Sequence, residues 1–354
     1  MVDDPMSIQG LVCPLPLPHK AQIVMGHGSG GTMSNDLIQR VFFSAFDNSI
    51  LAAGNDAGSC RVNPGTRLAI STDSHVVSPL IFPGGDIGRL AVCGTVNDVS
   101  MLGALPLFLS AGFILEEGLD VAILERVVDS MNQAASEAAV QIVAGDTKVV
   151  QRGKGDGLYI NTTGIGLIRD GLVIGGEHAQ PGDTIILSGS IGDHGIAVLA
   201  ARGELGFETN ITSDVAPLNS LVNSMLAVSE RIHVLRDPTR GGLATSLNEI
   251  ARQSQRSIVI DENAIPVRKA VNAACEILGF DPLYVANEGK LVAIIHPDDA
   301  ERTLQAMRSH PLGKGAVVIG HVEPSPAGRV LMKTRIGSTR IVDMLSGEML
   351  PRIC

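Results

Sequence analysis

The chain has 354 residues, enough for two domains or one large one, and 45% of them are hydrophobic, which excludes a chain disordered as a whole. A formal net charge of -10 and a pI near 5.4 exclude a sequence-blind nucleic-acid or acidic-membrane binder, because such a chain would not recruit phosphates in bulk. Five cysteines (Cys13, Cys60, Cys93, Cys275 and Cys354), odd in number and without a CxxC pair, suggest neither a disulfide framework nor a zinc site and fit a reducing cytoplasm.

The amino terminus lacks the basic and apolar regions of a signal peptide, so export is not expected. Residues 1–24, broken by Pro5, Pro14, Pro16 and Pro18, predict a flexible extension without chemistry. A glycine-rich GHGSGG run from Gly26 then feeds a helical stripe of Leu37, Ile38, Val41, Phe42 and Ala45. Strand pattern follows at 67–72, a helix at about 88–103, and a greasy run at 104–115, too short to span a membrane and predicted to be a buried strand. A helix over 121–138 and strands over 141–144 and 158–167 complete an α+β domain, 25–170. Glycine, charge and Pro181 then mark a boundary. A second domain, 171–345, has predicted helices at 195–202, 217–230, 242–253, 267–278 and 297–310 among strands at 184–188, 257–260, 291–295 and 316–322. Residues 346–354 lose periodicity and predict a mobile tail ending in Cys354.

Much of the glycine sits beside acids, around Asp56, Asp73, Gly84-Gly85-Asp86, Asp98 and Gly145-Asp146-Thr147-Lys148. Glycines let backbone N–H groups approach phosphate oxygens, and carboxylates from separate segments can bridge those oxygens through Mg²⁺. That is an inventory for a nucleotide site, although it contains no Walker A sequence and no Rossmann fingerprint. A turn or helix cap is the bland role for each aspartate. Asp98 stands out because it lies mid-helix, and Lys148 because it follows Gly-Asp-Thr at an expected strand end. The isolated histidines, His27, His75, His194 and His233, lack metal-ligand spacing and are expected in surface or loop roles. Cys354 is too close to the end for a prenylation signal, which leaves a thiol on a tether able to carry an activated group.

These motifs, in this order, resemble the superfamily of aminoimidazole ribonucleotide synthetase, selenophosphate synthetase and thiamine-monophosphate kinase. The specific resemblance is to its hydrogenase-maturation branch, the HypE family, carried by IVAGDTKVVQRG, SGSIGDHGIAVL, RDPTRGGLATSLNEIA, the NEGK turn and terminal PRIC. It runs from about Gly26 to Cys354. It implies an α+β, two-domain PurM-like fold, with an amino-terminal sheet forming a dimer barrel and a carboxy-terminal α/β sandwich domain. It further implies ATP with Mg²⁺, and loading of a carbamoyl group onto Cys354 by a partner, HypF. ATP-dependent dehydration of that S-carboxamide then gives a thiocyanate, whose cyanide goes to a nickel–iron hydrogenase precursor on HypC–HypD.

Carried over residue by residue, Asp56, Asp73, Asp98 and Asp237 match metal and phosphate acids, Gly84, Gly85, Asp146 and Lys148 match the nucleotide site, and the catalytic candidates are the carrier Cys354, Lys148 as electrostatic anchor and Glu288 as base for the carboxamide nitrogen. The related synthetases often show Asp-Asp where this chain has Asn55-Asp56, which bears on the number of metal ions. Cys13 could suggest a selenophosphate-synthetase nucleophile, but that reading leaves PRIC unexplained. The alternatives are another ATP-dependent synthetase or kinase on this fold, or a non-catalytic metallochaperone using Cys354.

Overall fold

Alternation along the strands decides how the first domain is layered. The computed structural model describes residues 31–37, 58–63, 66–203, 210–347 and 352–354. Strands β1 (Gly58–Asn63), β2 (Thr66–His75), β5 (Leu105–Glu116), β6 (Gln141–Val150) and β7 (Leu158–Ile168) form one sheet in the order β1-β2-β7-β5-β6, with β3 (Ile81–Phe82) and β4 (Gly85–Asp86) as a separate ribbon. Along β7, Leu158, Ile160, Thr162, Gly164, Gly166 and Ile168 are buried, and the residues between them point the other way. The buried face packs on helix Ile87–Met101, while helix Val121–Glu137 makes the crossover between parallel β5 and β6.

The helix Ile87–Met101 is set by local chemistry at both ends. Asp86 caps it, its Oδ1 accepting from the Gly88 and Arg89 amides at 2.9 and 3.0 Å, and Gly103 closes it at a φ of +66°. Nearly every residue of this helix is buried, because it is covered by the sheet, by helix Val121–Glu137 and by the second domain. Gly164 and Gly166 permit the close approach: a Cβ there would lie 2.5–2.8 Å from side-chain carbons of Thr95 and Val99.

Two expectations need correction. The run over 104–115 is a strand, β5, but Leu105, Phe108 and Ile114 are exposed, because the helices cover only one face of the sheet. Lys148 does not follow a turn: β6 runs unbroken through Gly145-Asp146-Thr147-Lys148, paired with residues 111–114 of β5.

The second domain is built on a seven-stranded sheet. Its strands are β8 (Thr184–Leu187), β9 (Ile232–Arg236), β10 (Ser257–Asp261), β11 (Val292–Ile295), β12 (Val317–Glu323), β13 (Arg329–Lys333) and β14 (Thr339–Ile341), in the order β14-β13-β10-β12-β8-β11-β9. Strands β8, apolar after Thr184, and β11, apolar throughout, lie inside the sheet and are buried on both sides, by helix Gly242–Ser254 on one face and by helices Asn219–Leu226 and Pro297–Ser309 on the other. The domains share a core in which Val198, Val215, Ala286 and Ile353 pack with Phe82, Leu90 and Val96 of the first domain.

Candidate active site

The site begins on β2, where alternation turns Ser71, Asp73 and His75 toward helix Ile87–Met101. Ser71 Oγ donates to Asp98 Oδ2 at 2.7 Å, fixing that carboxylate. Gly94 makes room for the next two side chains, since a Cβ there would lie 3.0 Å from His75 Cε1 and 3.5 Å from Asp73 Oδ2. Burial lowers the His75 pKa, opposed by Asp73 at 3.6 Å and assisted by Arg240, and neither ring nitrogen has a hydrogen-bond partner.

Two turns of the second domain close over this row. Asn287 is wholly buried and ties them together: its backbone N–H and Nδ2 both donate to the Pro238 carbonyl, at 3.1 and 2.9 Å, and its Oδ1 accepts from the Gly192 amide at 2.7 Å. From the first domain, Asn97 Nδ2 donates to the Ala216 and Glu288 carbonyls and Asn97 Oδ1 accepts from the Leu218 amide. The Glu288 amide donates to Asp214 Oδ1 at 3.1 Å, and Lys290 Nζ binds Asp214 Oδ2 at 2.9 Å. Gly289 is obligatory in this turn, because a Cβ would lie 1.8 Å from the Asp214 carbonyl oxygen.

The Glu288 side chain is thereby held in the interior. Its Oε1 is buried without a hydrogen-bond partner. Burial first, then the charges of Asp237, Asp73 and Asp214, raise its pKa well above the ordinary carboxylate range. For Asp214, burial works in the opposite direction to Lys290, His194 and the Glu288 amide, which together bring it below its usual value. The Arg240 guanidinium is kept charged above its usual range by Cys354 first and then by Asp73, Glu288 and Asp98, against the opposing effect of burial.

Into this setting runs the carboxy terminus. The Arg352 carbonyl accepts from the Ser78 amide at 3.3 Å and from Arg202 at 2.7 Å. The Ile353 carbonyl accepts from His194 Nε2 at 2.7 Å, and a carboxylate oxygen of Cys354 from the Val76 amide at 3.1 Å. Ile353 is buried and Cys354 half-buried, with the thiol pushed far up by burial, opposed by Arg240 and reinforced by Glu288 and Asp73. The last residue of the sequence therefore sits among a buried carboxyl, an arginine and an acidic row, with its sulfur in the protonated form.

Residues 54–168 match the family described as AIR synthase related protein, N-terminal domain, and residues 180–333 match its C-terminal domain. Over 333 residues the chain is 58% identical to the carbamoyl dehydratase HypE of Cupriavidus necator, covering 94% of this chain and 95% of the relative. The chain belongs to the HypE family. A solved HypE–HypF complex superposes with a TM-score of 0.83 at 51% identity, covering 87% of this chain and 99% of that one. A HypE solved in complex with ATP superposes with a TM-score of 0.79 at 53% identity, covering 94% and 100%. The fold is accordingly the two-domain PurM-like α+β arrangement expected of the HypE family.

Of the residues singled out in the sequence, the structure brings together Asp73, Asp98, Asp237, Glu288 and Cys354, all in electrostatic reach of one another or of Arg240. Asp56 lies outside the described residues. Gly84 and Gly85 have a packing role: a Cβ on Gly84, whose φ is +94°, would lie 2.8 Å from Ser213 backbone atoms, and one on Gly85 2.8 Å from Val215 Cγ1. Asp146 and Lys148 are both exposed on edge strand β6 and pair with each other at 2.7 Å. Among the described residues, no group of three His, Cys, Asp or Glu side chains is placed to hold a metal ion. No described helix is long and apolar enough to cross a membrane.

Arg240, Asn97, Asn287 and His194 were not recognised from sequence. Arg240 and Asn287 lie inside the RDPTRGG and NEGK segments, so those motifs were the available signal. His194 corrects an expectation directly. It is fully buried at the start of helix Asp193–Ala201, not on the surface or in a loop.

Proposed function

We propose that this chain is an ATP-dependent carbamoyl dehydratase that converts an S-carboxamide on Cys354 into a thiocyanate. The observation that carries this reading is the seating of Cys354 beside a buried Glu288 whose Oε1 has no partner. An amide oxygen does not leave as hydroxide in water. Transfer of the ATP γ-phosphoryl group to that oxygen, with loss of one N–H proton, gives a phosphorylated imidate. Loss of the second N–H proton forms the carbon–nitrogen triple bond and expels phosphate. The products are thiocyanate, ADP and phosphate with one net proton released, so the amide oxygen ends in phosphate.

In this scheme Glu288 accepts a proton from the carboxamide nitrogen, a task suited to a buried carboxylate of raised pKa. Arg240 balances the negative charge that develops near the sulfur. Asp98, fixed by Ser71, and Asp73 arrange the acidic wall, and Lys148 on β6 is the proposed phosphate anchor. The described residues do not by themselves fit a metal, since no three ligating groups converge.

The similarity to a solved HypE–HypF complex and to a HypE solved with ATP supports HypF as the carbamoyl donor and ATP as the cosubstrate. Delivery of the cyanide to a HypC–HypD complex follows from the same reading. The docked sulfur is a poor nucleophile while burial keeps it protonated, so loading takes place with the last residues withdrawn from the cleft. Lys148→Ala tests the anchor: ATP-dependent dehydration should fall by about 10²-fold, and an unchanged rate would remove Lys148 from the site.

A further inference from the structure

The proposed reaction requires the sulfur to stop at one depth, and residues of both domains bond the backbone that carries it. Residues 352–354 each accept a hydrogen bond on a backbone oxygen, and only that of Ile353 is held by a fully buried side chain, His194. A carbonyl oxygen only accepts, so His194 Nε2 carries the proton. In the neutral ring with that tautomer His194 Nδ1 accepts from Ser213 Oγ, 2.7 Å away, and Phe82 meets the ring edge-on with centroids 5.5 Å apart. Burial lowers the pKa of the imidazole, opposed by Asp214 and by the hydrogen bond to Ile353.

The ring is also tied to the candidate base. The turn that carries it is bonded to the Glu288 segment on both sides, through the Gly192 amide to Asn287 Oδ1 at 2.7 Å and the Gly195 amide to the Ala286 carbonyl at 3.1 Å. Ser213 in turn accepts from the Val215 amide, and its own amide donates to the Pro83 carbonyl. The ring thus measures the position of Ile353 against the same scaffold that holds Glu288, one residue before the sulfur.

We propose that His194 is a positioning residue that seats the carboxy terminus, its ring donating from Nε2 to the Ile353 carbonyl so that Cys354 stops beside Glu288. The proposal rests on the dehydratase reading for its purpose, but the seating contact can be measured without that chemistry. His194→Ala removes the donor, whereas His194→Gln can return an N–H near the position of Nε2. Ser213→Ala leaves His194 intact and removes the hydroxyl that fixes its tautomer.

The test has two readouts. The first is the rate at which iodoacetamide alkylates Cys354 in the full-length protein, followed by mass on the peptide released by cleavage after Glu348. The second is ATP-dependent water loss from chain already carbamoylated by HypF. His194→Ala should alkylate about tenfold faster, because the thiol leaves its buried seat, and should lose water about 10²-fold more slowly, the scale of a misplacement near 1 Å. Loading by HypF should be no slower, His194→Gln should recover part of both effects, and Ser213→Ala should shift alkylation in the same direction by a few fold.

Unchanged alkylation in a folded His194→Ala protein, or in Ser213→Ala should the alanine variant not fold, overturns the proposal. So does a His194→Gln variant no better than alanine in both assays. If wild type loses no water while the alkylation ratios hold, the seating role stands and the reaction assigned to the site fails.

Discussion

Replacing Glu288 with glutamine separates the chemistry of the site from its folding. The substitution preserves size and leaves the turn intact, because Asn287, the Glu288 amide and Gly289 make their contacts through other atoms. Loss of a positioned general base should lower ATP-dependent dehydration by about 10²–10⁴-fold. Stability should move the other way. Burial and the neighbouring acids raise the pKa of Glu288 in the folded state, so the folded protein holds a proton that the unfolded chain has released.

For a carboxyl raised in this way, stability falls as pH climbs from the unfolded value, about 4.3, toward the folded pKa. The slope inside that window is at most about 1.4 kcal/mol per pH unit for one proton. Glutamine has no such term, so the Tm of Glu288→Gln should draw ahead of wild type as pH rises from about 4.3 toward the raised pKa of Glu288. The wild-type rate should also show an acid limb above the ordinary carboxylate range, because the base works only when ionised. Near-normal turnover in Glu288→Gln, or a Tm that falls behind wild type as pH rises, would refute this reasoning.

Asp98→Ala should lose about 2–4 kcal/mol of transition-state stabilisation while remaining folded, and near-normal ATP turnover would leave Asp98 as no more than the partner of Ser71. Gly289→Ala should destabilise the protein by about 1–3 kcal/mol and displace Glu288, since its Cβ would lie 1.8 Å from the Asp214 oxygen; an unchanged Tm and rate would contradict that geometry. The open face of the first sheet exposes Ile70, Phe108, Ile114, Ile165 and Leu167, and a second copy of the chain is proposed to cover it; sedimentation as a clean monomer at micromolar concentration would count against this.

Local pattern carried much of the fold. Helices such as Ile87–Met101 and Pro297–Ser309 and strands such as β7 and β8 were legible, because each has either a cap signal or a sustained apolar period. Strands β9, β13 and β14 were not foreseen, since a few residues become a strand only when a neighbour supplies the hydrogen bonds. Exposure on β5 was misjudged for a related reason: sequence shows that Phe108 is apolar but not whether a second layer covers it.

In the site, Asp98, Glu288 and Cys354 were found as oddities of placement or through motifs. Gly84 and Gly85 looked suited to phosphate, whereas their close contacts are with residues 213–215 of the other domain. His194 and Asn97 act across long sequence separations, reaching Ile353 and Ala216, and nothing in their neighbourhood in the chain reports such partners.

The most direct measurement is the mass of the intact chain. Wild type incubated with HypF and its carbamoyl donor should gain a carbamoyl group on Cys354, and addition of ATP should then remove one water. Cys354→Ser should still bind ATP but give no ATP-dependent nitrile. Water loss in wild type without ATP, or equal loss in Cys354→Ser, would contradict the account.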